Sequence, residues 1–211
     1  MSKPYVALIA DAIDSRGLVP PVRKRLQALL QRSLSELNQR YRKALAARFD
    51  VTLGDELQCL LFDAQRVWEI SHDIRRRFTD VDWVVACGRG PITTALTAGI
   101  TAPKVDGPCF HAARAALETA KRDRQVLTFA SFPGEHLSTF AAYYSGLYWS
   151  WTARQRALAN EWRLWGSLEA AARPGVRERV VPSAVSHMRR RMAWPLVAQG
   201  DRMFRNLLEA P

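Results

Sequence analysis

The spacing of apolar residues changes several times along the chain, and the changes predict an order of strands and helices. A continuous apolar run at residues 5–10 is typical of a central strand. Alternating runs near residues 48–52 and 57–62 flank a Gly-Asp pair, which indicates a hairpin. Leucines at helical spacing, preceded by two prolines, predict a long helix over residues 20–46.

Predicted strands and helices continue to follow one another to about residue 130. Helices are expected at residues 64–78 and 109–122, and strands at residues 82–88 and 126–129. The order β-α-β-β-α-β-α-β predicts an α+β fold. We expect an α/β sandwich of the ferredoxin-like kind, with a mostly antiparallel sheet and helices on one face.

A Pro/Gly break at residues 131–135 predicts a domain boundary, with an α/β domain over residues 1–132 and a helical domain over residues 136–211. An amphipathic tail at residues 195–208 either packs back on the protein or pairs two subunits. A homodimer is expected because helix-turn-helix modules often act as dimers.

The predicted helical domain has the outline of a helix-turn-helix module. A capping box at Thr152 and Gln155 predicts a helix. A short helix at residues 168–173, a turn at residues 174–176 and a helix at residues 184–193 follow. On the last helix, small hydroxyl and basic side chains would face outward to contact DNA. They are Ser183, Ser186, His187, Arg190 and Arg191, and Val185, Met188 and Met192 would face inward. The alternative is a small helical bundle with a solvated basic face.

The formal charge of +11 favours a polyanionic partner, either nucleic acid, nucleotide phosphates or an acidic membrane surface. Three cysteines without a Cys-x-x-Cys pair disfavour zinc and fit a reducing cytoplasmic location. The apolar stretch at residues 136–151 is too short and too interrupted for a membrane span, so it predicts a buried aromatic helix. His72, which lies among arginines, is expected at the surface.

Asp11 and Asp55 are the candidate metal ligands, because the predicted fold brings both to one edge of the sheet. Hard carboxylate oxygens select Mg²⁺ or Mn²⁺, which keep positions open for phosphate oxygens. A simpler interpretation is that Asp11 caps a loop and Asp55 serves the turn. Candidate nucleotide-binding residues lie in the adjoining loops and at the end of a later strand, and they are Ser15, Arg16, Gly54 and Arg89.

Three blocks of sequence resemble the bacterial SatD family. They are Ile9-Ala10-Asp11 with Asp14-Ser15-Arg16, residues 52–58, and Asp106-Gly107-Pro108 with Ala112-Ala113-Arg114. The blocks are more distantly similar to the palm of class III nucleotidyl cyclases and diguanylate cyclases. Residues 53–57 are similar to the Gly-Gly-Asp-Glu-Phe signature, with leucine replacing the first glycine.

The resemblance to cyclases implies that Asp11 and Asp55 bind metal and that Arg114 is a catalytic residue that supports phosphate charge. Such cyclases carry an asparagine four residues before that arginine. This chain has Phe110 at that position, and a phenyl ring cannot hydrogen-bond a ribose.

Two functions are consistent with these features. The first is a regulator of the SatD family that senses a nucleotide with Mg²⁺ or Mn²⁺ and controls transcription by binding DNA. The second is a metal-dependent enzyme related to nucleotidyl cyclases, and a scaffold with neither activity is a third possibility. The missing asparagine and the helix-turn-helix outline favour the regulator.

Overall fold

The computed structural model describes residues 3–52, 54–167 and 181–209. Within them the chain forms one five-stranded sheet with the strand order β2-β3-β1-β4-β5. The strands are β1 (Tyr5–Ala12), β2 (Leu45–Val51), β3 (Glu56–Leu61), β4 (Trp83–Gly90) and β5 (Leu127–Ala130). The helices are α1 (Pro20–Arg40), α2 (Val67–Arg77), α3 (Pro108–Arg122), α4 (His136–Ser150), α5 (Ala153–Trp165), α6 (Pro182–Arg191) and α7 (Trp194–Glu209).

The strand order confirms the predicted α+β fold. In the first four strands every neighbouring pair is antiparallel, and the order β2-β3-β1-β4 is the ferredoxin-like one. The fifth strand adds to the outer edge of β4 in parallel. The sheet is therefore mixed, and β1 lies at its centre.

Helices cover both faces of the sheet, so the expectation of helices on one face only was wrong. Alternate residues of β1 divide between two cores. Val6 and Leu8 pack in the core that α1, α2 and α4 cover, whereas Ala7 and Ile9 pack against α3. The backbone of α3 approaches β4 very closely, because an added Cβ at Gly88 would lie 2.2 Å from the carbonyl oxygen of Cys109.

Two differences between the observed and the predicted element boundaries bear on the fold and the site. The first helix ends at Arg40 and not at residue 46, because the chain turns between Tyr41 and Ala44 and Leu45 already pairs with Leu61. The first strand continues past Asp11 to Ala12. Backbone pairing across the sheet outweighed the helix propensity of the alanines after Arg40 in the first case.

The C-terminal helices share a core with the sheet. Tyr144 of α4 and Phe204 of α7 belong to the same buried cluster as β1, and Phe140 stacks on Phe204 with ring centroids 4.3 Å apart. The expectation that the tail packs back on the protein agrees with this contact. The boundary between residues 132 and 136 stays a prediction.

The capping box predicted for α5 is present. The N–H of Gln155 donates to the Thr152 hydroxyl at 3.3 Å, and the N–H of Thr152 donates to the Gln155 side chain at 2.9 Å. The predicted short helix at residues 168–173 and the turn at residues 174–176 lie outside the described residues. Among the described residues, no helix is long and apolar enough to cross a membrane.

His72 lies inside the protein, so its predicted surface position was wrong. Its exposed fraction is 6%, and its ring packs edge-on against Trp68 with centroids 4.3 Å apart. The neighbouring arginine Arg75 is also buried, and it donates to the backbone carbonyls of Ser71 and Trp83. The arginine-rich pattern of this helix therefore did not indicate a solvated face.

Candidate functional site

Three carboxylates lie at one end of the β1–β3 pair. Asp11 is directly opposite Glu56 in the antiparallel ladder, and Asp55 immediately precedes Glu56 in the hairpin turn. Gly54 has φ +92°, a conformation that residues with a Cβ rarely adopt. The N–H of Thr52 donates to the carbonyl of Glu56 at 2.9 Å and closes the turn.

The basic side chains of α3 lie over this end of the sheet. Asp11 continues the odd-numbered series of β1, whose members Ala7 and Ile9 pack against α3. Arg114 and Lys121 are seven residues apart on that helix, so they lie about two turns apart on one face. Each of the two contacts a different carboxylate.

Lys121 pairs with Asp11. Its Nζ lies 2.9 Å from Oδ2 of Asp11, whose side chain is 17% exposed. Burial raises the pKa of Asp11 above its ordinary value. The hydrogen bond and the charge of Lys121 oppose this rise, whereas the negative charges of Asp55 and Glu56 add to it. The fold therefore favours the ionised form of Asp11 less than water does, even with its lysine partner in place.

Arg114 forms a two-point ion pair with Glu56. Nη1 of Arg114 contacts Oε2 of Glu56, and Nη2 lies 2.7 Å from Oε1. The Thr52 hydroxyl and the Gln58 amide also donate to Oε1, at 2.8 Å and 2.7 Å. Burial acts to raise the pKa of Glu56, but these donors outweigh it, so the pKa lies below its ordinary value. The hydrogen bond to Glu56 in turn raises the pKa of Arg114.

Asp55 differs from the other two carboxylates because one of its buried oxygens has no partner among the described residues. Oδ2 of Asp55 is buried and accepts no hydrogen bond within the part of the chain that the structure describes. Asp55 is the chain neighbour of Glu56, which lies opposite Asp11, and its negative charge adds to the rise in the pKa of Asp11. A buried carboxylate oxygen without a donor is unfavourable, and a cation would satisfy it. The residues present therefore fit a divalent cation.

The donor set is small. In the described ranges no group of three or more His, Cys, Asp or Glu side chains is placed to hold a metal ion. Two carboxylates nevertheless suit Mg²⁺, which commonly binds one or two carboxylates and completes its shell with water and substrate phosphates. The site has too few protein ligands to hold a metal as a closed structural centre.

The candidate nucleotide-binding residues separate into two groups. Ser15 and Arg16 follow the end of β1 that carries Asp11, in a one-turn 3-10 helix, and Arg23 donates to both of their carbonyls. Gly54 is exposed in the hairpin turn beside Asp55. Ser15, Arg16 and Gly54 therefore belong to loops at the same end of the sheet as the carboxylates.

Arg89 lies at the other end. It is opposite Val6 in the β1–β4 ladder, five residues from Asp11, which corresponds to roughly 17 Å along the strand. Arg89, a candidate nucleotide-binding residue, is therefore separated from Asp11, because β4 runs antiparallel to β1 and its end comes beside the start of β1. Arg89 lines a separate pocket with Lys3 and Phe62.

Two residues of the site were not assigned a role from the sequence. They are Glu56 and Lys121. The spacing of seven residues between Arg114 and Lys121 is a helical signal that places both on one face. For Glu56 no signal in the sequence indicated its pairing with Arg114, since that depends on where α3 crosses the sheet.

Phe110 is part of the core beneath α3. Its exposed fraction is 7%, and it belongs to the cluster that packs Ala7 and Ile9 of β1. The position that carries asparagine in class III cyclases is therefore an apolar packing position in this chain.

The outward face of α6 is basic. Val185 and Met192 are buried and Met188 is partly buried, in a cluster with Trp162 and Trp194. The five residues predicted to face outward are all exposed: Ser183, Ser186, His187, Arg190 and Arg191. No ion pair joins Arg190 or Arg191 to a carboxylate of the described residues. Contact with DNA stays a prediction.

The fold and the site together define a mixed α+β protein with a carboxylate cluster facing a basic helix. A model of the SatD family matches residues 5–127, and the chain belongs to that family. No curated protein sequence matches the chain.

Two solved structures are similar at low sequence identity. The guanylyl cyclase Cya2 is 12% identical, with a TM-score of 0.38 over 55% of this chain and 70% of the cyclase. A bacterial light-regulated adenylyl cyclase is 11% identical, with a TM-score of 0.38 over 60% of this chain and 74% of the cyclase. Structural similarity at this sequence identity and TM-score gives no information about activity.

Proposed function

We propose that this protein is a nucleotide-responsive regulator that binds a nucleoside triphosphate together with Mg²⁺ or Mn²⁺ at Asp11 and Asp55. The observation that carries the proposal is the buried Oδ2 of Asp55, which has no hydrogen-bond partner among the described residues, at the end of the sheet that carries Asp11. A cation would satisfy that oxygen and would offset the burial that disfavours the charge of Asp11.

The small number of protein ligands supports a phosphate-bearing partner. A divalent cation held by two carboxylates neutralises their charge and leaves positions for phosphate oxygens. Of the chain's own groups, Lys121 competes with the cation for Asp11 and places positive charge where phosphate would lie. The loop that carries Ser15 and Arg16 follows the same end of β1.

Two features favour binding over turnover. Phe110 is fixed in the core, so α3 offers no side-chain amide at that position. Arg114 is held by Glu56 at two points, so it must break a charge-assisted pair before it can stabilise a phosphate. A site that binds a nucleotide without consuming it suits a sensor, since the ligand then shifts a population between states.

A cyclase-like enzyme is the alternative, and a turnover assay separates the two. Wild-type protein would be incubated with labelled ATP or GTP and Mn²⁺, and the products would be separated by chromatography. The proposal predicts that the nucleotide is bound and recovered unchanged. Formation of a cyclic nucleotide that Asp55→Asn abolishes would establish the enzyme and exclude a pure sensor.

The regulator acts by binding DNA through α6. The exposed face of that helix combines small hydroxyls in its first turns with Arg190 and Arg191 near its end, which suits contacts to phosphates and base edges. The formal charge of +11 supports a polyanionic partner.

Fluorescence anisotropy with duplex DNA from upstream of the gene that encodes this protein tests DNA binding through α6. The double variant Arg190→Gln/Arg191→Gln is expected to weaken binding and to lower the salt slope by about one per lost phosphate contact. Arg42→Gln/Lys43→Gln removes the same charge from an exposed turn and serves as the control. An equal loss in both double variants would show non-specific attraction and contradict the assignment.

A further inference from the structure

Two neighbouring helices present an apolar surface to solvent. On α7, Leu196, Gly200, Met203 and Leu207 recur every three or four residues, so they share one side of the helix. A Cβ added at Gly200 would lie 3.9 Å from the ring of Phe140 in α4. That side of α7 therefore adjoins α4.

Several large side chains on these two helices are highly exposed. The exposed fractions are 75% for Tyr143, 68% for Leu196 and 53% for Met203. Tyr143 follows Phe140 by three residues, about one helical turn, and lies beside it on α4. Single exposed apolar residues are common, whereas a group of them on adjoining helices marks a contact surface. The α4–α7 face is the surface that these residues form with Gly200 and Leu207.

The α4–α7 face carries no formal charge in a strongly basic chain. Residues 136–150, which form α4, include no Asp, Glu, Lys or Arg, although these types make up 24% of the sequence. The apolar side of α7 contains none of them either. The centres of protein interfaces are likewise depleted of charge. Since a polyanion finds no basic group to contact here, the face does not suit DNA or an acidic membrane surface.

The net charge of the chain indicates which partner the face fits. Two copies with a formal charge of +11 repel each other, and a two-fold contact brings identical groups together. On an uncharged apolar face, two such copies can meet without placing like charges in direct opposition. An acidic partner protein would instead favour the basic surfaces of the chain.

Gly146 is a second, independent observation on α4. It is exposed inside the helix, and no described atom lies within 4 Å of an added Cβ. Glycine is less favourable than alanine inside a helix, and no contact in the described part of the chain requires it. Gly146 follows Tyr143 by three residues, so both lie on the same exposed side. A residue without a side chain allows a second backbone to approach closely, and a residue on a two-fold axis meets its own copy.

We propose that this protein forms a homodimer through the α4–α7 face, with α4 of one copy packing against α4 of the other near Gly146. Tyr143, Leu196 and Met203 supply the apolar area that the contact buries. The backbone at Gly146 permits the close approach of the two helices. This interface uses neither the carboxylate site nor the basic face of α6.

Sedimentation equilibrium of the wild-type chain tests the proposal. We expect a monomer–dimer equilibrium whose dissociation constant falls several-fold as NaCl rises from about 0.1 M to about 0.5 M, because salt screens the repulsion between two basic chains. Monomer throughout the micromolar range at both salt concentrations would overturn the proposal. A dimer that weakens with salt would also overturn it, since ion pairs would then hold the two copies.

A lipid surface is the other occupant to exclude. Flotation with uncharged phosphatidylcholine vesicles is expected to leave the wild-type protein unbound, because its apolar face is buried in the dimer. Protein that stays monomeric and floats with the vesicles would show that the face contacts lipid, which contradicts the proposal.

Two variants locate the contact. Tyr143→Arg places a charge against the partner copy and is expected to raise the dissociation constant at least about tenfold. Val19→Arg adds the same charge at a residue that is 60% exposed outside the face, and it is the control. Gly146→Leu fills space that is open in the single chain, so we expect a folded protein whose dimer is weakened by a similar factor. Gly17→Leu, at another open position, is its control.

Thermal unfolding followed by circular dichroism shows whether each variant folds. Asp55→Asn is expected to dimerise as the wild type does, so this outcome is independent of the proposed nucleotide site. Dimerisation of folded Tyr143→Arg and Gly146→Leu at wild-type strength would place the contact elsewhere and contradict the α4–α7 face.

Discussion

The ammonium group of Lys121 lies 2.9 Å from Oδ2 of Asp11, at the point where α3 crosses the end of β1. The same helix holds Glu56 through Arg114, so one element neutralises two of the three carboxylates. In the part of the chain that the structure describes, one oxygen of Asp55 has no hydrogen-bond partner. The arrangement places a protein cation where the proposed metal would have to contact Asp11.

Replacing Lys121 with methionine is expected to strengthen Mn²⁺ binding several-fold in the absence of nucleotide. The reason is that the ammonium group competes for Asp11 and repels a second cation. Mn²⁺ titration followed by electron paramagnetic resonance measures the affinity. Arg122→Gln, an exposed change on the same helix, is the control for general charge. Weaker Mn²⁺ binding by Lys121→Met would show that the lysine supports the site instead of competing for it.

Asp11→Asn is expected to stabilise the metal-free protein by about 1 kcal/mol at neutral pH, as substitutions at functional sites often do. Because the pKa of Asp11 is raised in the folded protein, its ionised form opposes folding above that pKa. The advantage of the variant should therefore shrink as the pH falls through the raised pKa towards the ordinary value of 3.8. Urea unfolding of both proteins with EDTA across this range measures the difference. A variant less stable than wild type at neutral pH would mean that the Lys121 pair outweighs the burial of Asp11.

Glu56→Gln is expected to destabilise the protein at neutral pH, in contrast to Asp11→Asn. The pKa of Glu56 is lowered in the fold, so its contribution to stability is present above the ordinary value of 4.5 and is lost as the pH falls through the lowered pKa. Since Arg114 is partly exposed, we expect a loss of only about 1 kcal/mol at pH 7. Chemical unfolding at pH 7 and at successively lower pH values should show the two proteins converging. Glu118→Gln, an exposed change on α3, removes the same charge and is the control.

Gly88→Ala tests the close contact that positions α3. A Cβ at this residue would lie 2.2 Å from the carbonyl oxygen of Cys109 and 2.4 Å from the backbone nitrogen of Ala113. Neither backbone atom can move without shifting the helix, so we expect a loss of about 3 kcal/mol. Urea unfolding measures the change, and Gly17→Ala, with no atom within 4 Å of the added carbon, is the matched control. Equal stability of both variants would show that α3 can move away from β4 at little cost.

The apolar pattern was sufficient to predict the central sheet because strand and helix periods are local properties of the sequence. The run at the start of the chain and the Gly-Asp turn led to β1 and to the β2–β3 hairpin, and the ferredoxin-like order followed from the sequence of elements. The boundary after Arg40 was missed because alanines fit both a helix and a strand, and only pairing with β3 decides between them.

The sequence predicted only those residues of the candidate site whose positions depend on strand topology. Asp11 lies near the end of β1 and Asp55 in the turn that leads into the adjacent β3, so strand topology brings both to one end of the sheet. The positions of Lys121 and Glu56 depend on how α3 crosses the sheet, which in turn depends on the absence of a side chain at Gly88. The burial of His72 depends on α5, and a helix so distant in sequence leaves no mark on the local pattern of α2.

The most direct test of the account is calorimetric titration of Mn²⁺ with a non-hydrolysable nucleoside triphosphate into wild-type protein, Asp55→Asn and Asp123→Asn. Asp123 is exposed at the end of α3, so its variant controls for loss of one negative charge. The account predicts saturable binding of one nucleotide per chain that requires the metal, is lost in Asp55→Asn and is unchanged in Asp123→Asn. Metal-dependent binding that is equally strong in Asp55→Asn, or no binding to the wild type, would contradict it.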